Sequence, residues 1–283
     1  MISSIDIEKK IKLFHAIADI VEAMKAYAGV NIRKTEELVQ NIRAYEENLL
    51  YAMADLMTHY PHIPFERKET GKRILIAFGS SQGLCGPFNE KMVEAVSGLI
   101  NSNDTLFIIG GRLRSAIESR QIPYAGYIDS PVSVNGLKES LKEALLQIIK
   151  IYSQKEYYNL RVVFTIILEN KAMTSIEQIL PPDLKRVRAI KPARSSPMTY
   201  SEPAMVFEKV LEEFLHIGLY RCYIESLRSE NWHRLRSMEG ASDNLTRRLS
   251  DLCSLQNYVR QEEITEEMLE IPGAGRFYSS SIP

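Results

Sequence analysis

Two stretches of the 283-residue chain restrict what it can fold into more than anything else in it. From Ile5 to about Tyr60 there is no proline and a single glycine, Gly29, and from Pro203 to Ile271 no proline follows the first residue. Apolar residues recur at intervals of three and four in both. The first carries Phe14, Ile17, Val21, Met24, Ala28, Val39, Ile42, Leu49, Met53 and Leu56; the second carries Val206, Val210, Ile217, Ile224, Leu227, Leu235, Met238, Leu245, Leu249 and Leu252. Such spacing predicts two very long helices, each with one apolar stripe. The first must stop at Tyr60-Pro61-His62-Ile63-Pro64, and Pro203 suits the first turn of the second. At about 1.5 Å per residue the second helix would extend on the order of 100 Å, too far for a globule interior. A stripe of that length needs a cover, and the other long helix is the one comparable element, so the two are predicted to pair as a coiled coil. Asn31 and Asn244 interrupt the stripes, Gly240 predicts a bend or a close approach, and Pro272 predicts the end of the second helix.

Between these helices the pattern changes. Lys72–Phe78, Thr105–Ile109 and Leu160–Leu168 read as buried strands, with a short strand over Ile122–Ile128 and another around Ile176–Ile179. Helical patterns fall at Asn89–Ile100, Arg112–Arg120 and Val134–Tyr152, and Lys191–Pro203 reads as a proline-rich return. Alternation of this kind predicts a mainly parallel, Rossmann-like sheet. The predicted fold is therefore α/β plus a long coiled coil. Its parts are an N-terminal helix over 1–60, a central α/β domain over 61–202, and a C-terminal helix with its tail over 203–283.

A formal net charge of -1 supplies no field to draw the whole chain onto nucleic acid or an anionic membrane. Cys85, Cys222 and Cys253 are too widely spaced for a disulfide framework or a zinc site, which favours a reducing compartment. No signal peptide and no apolar run of spanning length is expected. The stretch Phe78-Gly79-Ser80-Ser81-Gln82-Gly83-Leu84-Cys85-Gly86-Pro87-Phe88-Asn89 sits between a strand and a helix, where backbone N–H groups can cradle a phosphate. It matches neither G-x-x-x-x-G-K-[ST] nor G-x-G-x-x-G, so a structural turn with Pro87 opening the helix is the expectation, and no cofactor is assigned. Cys85, at a helix N-terminus, reads as a packed residue rather than a nucleophile. His59 and His62 lack further ligands in sequence, and no metal site or catalytic constellation is evident.

The motifs of the second helix carry a resemblance. Glu225-Ser226, Ser229-Glu230, Arg234, Met238 and Ala241-Ser242-Asp243-Asn244 are followed by Asn257, Arg260-Gln261, Ile264-Thr265, Glu267, Glu270-Ile271 and Gly273-Ala274. This is similar to the gamma subunit of F-type ATP synthases, with its E-S-x-x-S-E, R-x-x-x-M, A-T-D-N and R-Q-x-x-I-T-x-E pattern. Ala23-Met24-Lys25 with Arg33-Lys34, and the turn Gly83-Leu84-Cys85-Gly86 with Asn89, resemble the family's other motifs. Ser81-Gln82 stand where the family has D-R, and Val30-Asn31-Ile32 precede Arg33-Lys34 where it has S-K-L, so the chain looks like a divergent member.

The resemblance implies a non-catalytic central-stalk shaft, in which an antiparallel coiled coil stands inside the alpha-beta hexamer. It implies alpha, beta and epsilon subunits and the membrane c-ring as partners, no nucleic acid, and a peripheral place on the cytoplasmic face of a bacterial membrane. By motif match Arg260, Gln261, Thr265 and Glu267 would meet a catch loop of the hexamer. Met24 and Lys25 would lie beside them or against the lower part of beta, with Arg33 and Lys34 as further contacts. Gly83, Leu84, Cys85 and Gly86 would form the structural turn. A nucleotide-binding α/β protein and a passive coiled-coil scaffold are the alternatives; neither accounts for the R-Q-x-x-I-T-x-E match.

Overall fold

The computed structural model describes residues 4–63, 71–129, 142–143, 146–148, 150 and 157–274. Helix α1 spans Ser4–His59 and ends where Pro61 removes a backbone donor. Strand β1 (Lys72–Phe78), helix α2 (Phe88–Leu99), β2 (Asp104–Ile109), helix α3 (Gly111–Ser119) and β3 (Gly126–Ile128) follow. The chain continues with β4 (Tyr157–Leu168), β5 (Lys171–Leu180), a short helix α4 (Leu184–Ala189) and the long helix α5 (Pro203–Ala274). The helix predicted over 134–152 falls largely outside the described residues, as do Pro64 and the tail from 275.

Two compact units result: residues 28–235, and residues 1–27 together with 236–283. In the larger one the sheet order is β3-β2-β1-β4-β5, parallel except that β5 runs antiparallel to β4. Period-two alternation sorts the strand side chains onto two faces. Ile74, Ile76, Phe78, Leu160, Val162 and Phe164 pack against Val39 and Ile42 of α1 and Leu219, Tyr223 and Leu227 of α5. Leu75, Ala77, Leu106, Ile108 and Val163 pack instead against α2 and α3 through Met92, Val96, Leu113 and Ile117. Both faces of the sheet are thus covered, which is why β1 reads as an unbroken apolar run. Phe78 and Tyr223 stack with centroids 5.1 Å apart, joining the end of β1 to α5. A third cluster, Leu50, Met53, Ala54 and Leu56 with Val187, Phe207 and Phe214, closes the end where α1 stops and α5 begins.

Cross-helix contacts fix the orientation that chain reach left open. In the larger unit Glu46 meets Arg221, Arg43 meets Glu225 and Glu36 meets Arg228. In the smaller one Ser242 Oγ donates to Glu22 at 3.1 Å, and the Ser4 N–H donates to Glu263 at 3.3 Å. Partner numbers fall on one helix as they rise on the other, so α1 and α5 are antiparallel.

Several expectations need correcting. β3 covers three residues because Pro123, within the predicted 122–128, cannot donate to a ladder. β5 is longer than expected. Glu169 and Asn170, both at positive φ (48° and 60°), close a hairpin that pairs it with β4 from Leu168↔Lys171 to Leu160↔Leu180. Helix α4 was not anticipated, although Asp183 caps it by accepting the Lys185 N–H at 2.9 Å. Helix α5 passes through Pro272 to Ala274. A proline's φ is itself helical, and with only two helical residues after it there is little helix left for the lost bond and the ring's clash with the preceding turn to disrupt. Gly240 makes no close approach, since a Cβ there would meet nothing within 4 Å.

Candidate functional site: the joint between the long helices and the sheet

The motif residues of α5 converge on the carboxyl-end edge of the sheet. Glu225, Ser226, Ser229, Glu230 and Arg234 are all buried, in contrast to the solvated positions that charges usually take on helices. Ser226 Oγ donates to the Phe78 carbonyl at 3.4 Å, and Ser229 Oγ donates to the Thr165 carbonyl at 2.8 Å. Glu225 accepts from Arg43 at 2.6 Å. Arg234 is paired with Glu230, donates to Asn231 Oδ1 at 3.2 Å and reaches the Gly83 carbonyl at 3.4 Å. Burial pushes the Glu230 carboxyl above its usual range, against the pull of the Arg234 guanidinium. Buried polar groups need partners, and these hydroxyls and charges find theirs in strand and turn carbonyls, in Arg43 and in one another, while Arg234 Nε is left without one.

The turn beneath them is tied to itself. The Ser80 N–H donates to Asn89 Oδ1 at 3.0 Å, and Asn89 Nδ2 returns a bond to Ser80 Oγ at 2.8 Å. The Ser80 carbonyl accepts from the Arg112 N–H at 2.9 Å, and Ser81 Oγ accepts from the Gly111 N–H at 3.1 Å. Leu84 (φ 65°) and Gly86 (φ 56°) are left-handed, as a tight turn requires, and the Leu84 side chain stands exposed. Cys85 is buried beside Ser80 Oγ at 3.4 Å; burial pushes its thiol up, away from the thiolate a nucleophile needs. The N–H and carbonyl of Ser80, the Gly83 carbonyl and the Gly111 N–H are therefore engaged by the protein itself.

A second cluster sits farther along the helices. Arg221 is buried, donates to Glu46 Oε2 at 2.7 Å and is also paired with Glu177 of β5. Burial opposes its charge, but the carboxylates of Glu177 and Glu46 outweigh that and hold the guanidinium more firmly protonated than usual. Sequence reading passed over Arg221 and Glu46. The available signal was a charge on an apolar stripe: Glu46 stands between Ile42 and Leu50, and Arg221 between Ile217 and Ile224. Asn31, read as an interruption of the stripe, is buried as well, and its backbone carbonyl accepts from Thr35 Oγ1 at 2.7 Å.

The predicted contact residues lie elsewhere. Met24 and Lys25 are half-buried on α1, with Lys25 Nζ 2.8 Å from Glu22. Arg33 and Lys34 are exposed on α1. Arg260, Gln261 and Thr265 are exposed on α5, where Thr265 Oγ1 donates to the Gln261 carbonyl at 2.7 Å. Glu267 lies on the same helix, with its side chain outside the described residues. Gln261 and Thr265 share a shallow groove with Tyr258, whose hydroxyl donates to Glu262 at 2.9 Å. Among the described residues no group of three or more His, Cys, Asp or Glu side chains could hold a metal, and no helix is long and apolar enough to cross a membrane.

Such a joint defines an α/β sheet domain clamped onto a pair of long antiparallel helices. The family model described as ATP synthase matches residues 3–275, and the chain belongs to this family, among its gamma chains. An ATP synthase gamma chain of Malacoplasma penetrans is 27% identical over 283 residues, covering 96% of this chain and 98% of that one. One from Bdellovibrio bacteriovorus is 28% identical over 296 residues, with 96% and 97% covered. In fold the chain is similar to the rotor of the Euglena gracilis mitochondrial ATP synthase, with a TM-score of 0.65 at 14% identity, covering 92% of this chain and 98% of that one. It is also similar to the Tetrahymena thermophila central stalk and c-ring structure, with a TM-score of 0.59 at 20% identity and 79% and 99% covered.

Proposed function

We propose that this chain is the non-catalytic rotor shaft of an ATP synthase, converting the turning of a membrane c-ring into successive conformations of an alpha-beta hexamer. The observation that carries the reading is the apolar surface left uncovered on the smaller helical unit of a chain matched almost end to end by the family. Leu13, Ile20, Leu255, Tyr258, Ile264 and Met268 are all exposed there, large apolar side chains that a binding partner would bury. A sleeve of surrounding subunits would cover it. Different shaft angles would offer those subunits different contacts, and only such a difference can bias their open and closed states.

In this reading Arg260, Gln261, Thr265 and Glu267 meet a catch loop of the hexamer, where charge-assisted bonds are directional. Met24, Lys25, Arg33 and Lys34 supply further contacts. The sheet domain binds the epsilon subunit and the ring at the cytoplasmic face of a bacterial membrane, and the long terminal helices and the central domain divide the labour accordingly.

The test is reconstitution with the alpha and beta subunits and a bead on the sheet domain. Cys85 is unsuitable for attachment because it is buried, whereas the exposed Ser102 can be replaced by cysteine in a Cys253→Ser background. Stepwise rotation during ATP hydrolysis is expected. Hydrolysis with a stationary bead would refute the shaft reading.

A further inference from the structure

We infer that Arg221 and Glu177 form the principal torque-bearing link between the sheet domain and the long helices, a role that rests on the shaft reading. Torque that enters at a sheet domain reaches the helices only through the contacts joining the two. Apolar contacts such as Ile179 against α5 resist separation, but they are non-directional and slide more easily than hydrogen bonds. Among the described residues the polar links from α5 to the sheet are few. Ser226 to Phe78 and Ser229 to Thr165 are neutral, and the first is long at 3.4 Å. The bond from Arg234 to the Gly83 carbonyl, also 3.4 Å, ends on a turn rather than a strand. Arg221–Glu177 is the one ion pair among the described residues that joins a long helix to the sheet.

The geometry of this pair suits a load. Arg221 belongs to α5, Glu46 to α1 and Glu177 to β5, so one planar guanidinium ties three elements together. Its two carboxylate partners hold it from different elements, so a shear of the sheet past either helix must break a charge-assisted bond. Arg221 and Glu46 are 8% and 5% exposed in their side chains, whereas Glu177 keeps 32%. One turn before Arg221, Gly218 lets β5 come close: a Cβ there would lie 3.3 Å from Ile179 Cγ2 and 3.8 Å from Glu46 Oε1. Among the described residues the other ion pairs that α5 makes with a different element reach α1, through Arg43–Glu225 and Arg228–Glu36, and bear no load between helix and sheet.

Because Glu177 is partly exposed, removing it severs the sheet link while the buried Arg221–Glu46 pair keeps the helices together. The experiment uses the reconstituted complex with the hexamer immobilised and a bead on Ser102→Cys, and takes rotor torsional stiffness from the thermal angular fluctuations of the bead at rest. Glu177→Ala should lower that stiffness by about twofold, since neutral bonds of roughly half the strength are what remain. Glu177→Gln, which keeps an acceptor oxygen, should recover part of the loss, and Glu36→Ala should leave the stiffness at the wild-type value. Thermal unfolding of the free chain separates a load-bearing role from a merely structural one: Glu177→Ala and Glu36→Ala should shift it by similarly small amounts. A Glu177→Ala complex that rotates with wild-type stiffness would overturn this inference alone. A wild-type chain that assembles with alpha and beta but never rotates would overturn the shaft reading beneath it.

Discussion

Replacing Arg234 by alanine tests the packing of the joint most directly. The guanidinium is almost wholly buried and is paired with Glu230, itself 8% exposed in its side chain. Its removal leaves a carboxylate in a low-dielectric site without its counter-charge. Breaking one side of a buried pair costs about 3–5 kcal/mol, and losing the bond to Gly83 adds on the order of 1 kcal/mol. The double variant Glu230→Gln/Arg234→Met removes both charges at similar volume and should cost no more than about 1 kcal/mol. Burial already raises the Glu230 carboxyl, and without Arg234 it rises further. A group whose folded value is raised contributes stability present below its unfolded value and lost as pH rises. The deficit of Arg234→Ala is therefore largest at neutral pH and shrinks on acidification towards about 4.3, the ordinary glutamate value. Urea denaturation of the full chain can be followed through Trp232, the sole tryptophan, whose ring meets that of the next residue, His233, edge-on at 5.3 Å. If the single and double variants lose equal stability, or the single loses less than about 1 kcal/mol, the buried-charge account is wrong.

Other consequences are simpler. Gly110 sits at φ 117°, and a Cβ there would lie 2.6 Å from the Gly79 carbonyl oxygen, so Gly110→Ala should lose at least about 2 kcal/mol in thermal melting. His233 is held neutral by burial and by Lys91. Its contribution is present above its unfolded value of about 6.5 and is lost as pH falls below it, so His233→Asn should flatten the stability profile on the acid side of about pH 6.5. Leu219→Ala, at the centre of the helix–sheet core, should cost about 2–5 kcal/mol in denaturant midpoint measurements. Arg260→Ala/Gln261→Ala should leave the free chain's melting unchanged and lower ATP-driven rotation in the reconstituted complex.

Most of the architecture was legible beforehand because its signals are local. Absence of proline, a three-four apolar rhythm and unbroken apolar strands each describe what a segment does with its own backbone, and α1, β1, α2, β2 and α3 fall within a residue or two of the reading. The hairpin to β5 was less legible: it depends on Glu169 and Asn170 taking left-handed conformations, which composition marks only weakly. Helix α4, with six residues, is too short for periodicity to reveal.

Sequence alone determined two long helices, a mainly parallel sheet and the motif Glu225 to Arg234, since backbone propensity and side-chain rhythm are properties of contiguous residues. Tertiary structure decided what those motif residues do. Glu46, Glu177 and Arg221 lie as many as 175 positions apart in the chain, yet they share one buried site. Whether a charge is solvated or locked into a network depends on what faces it, and only the folded chain brings the facing element there.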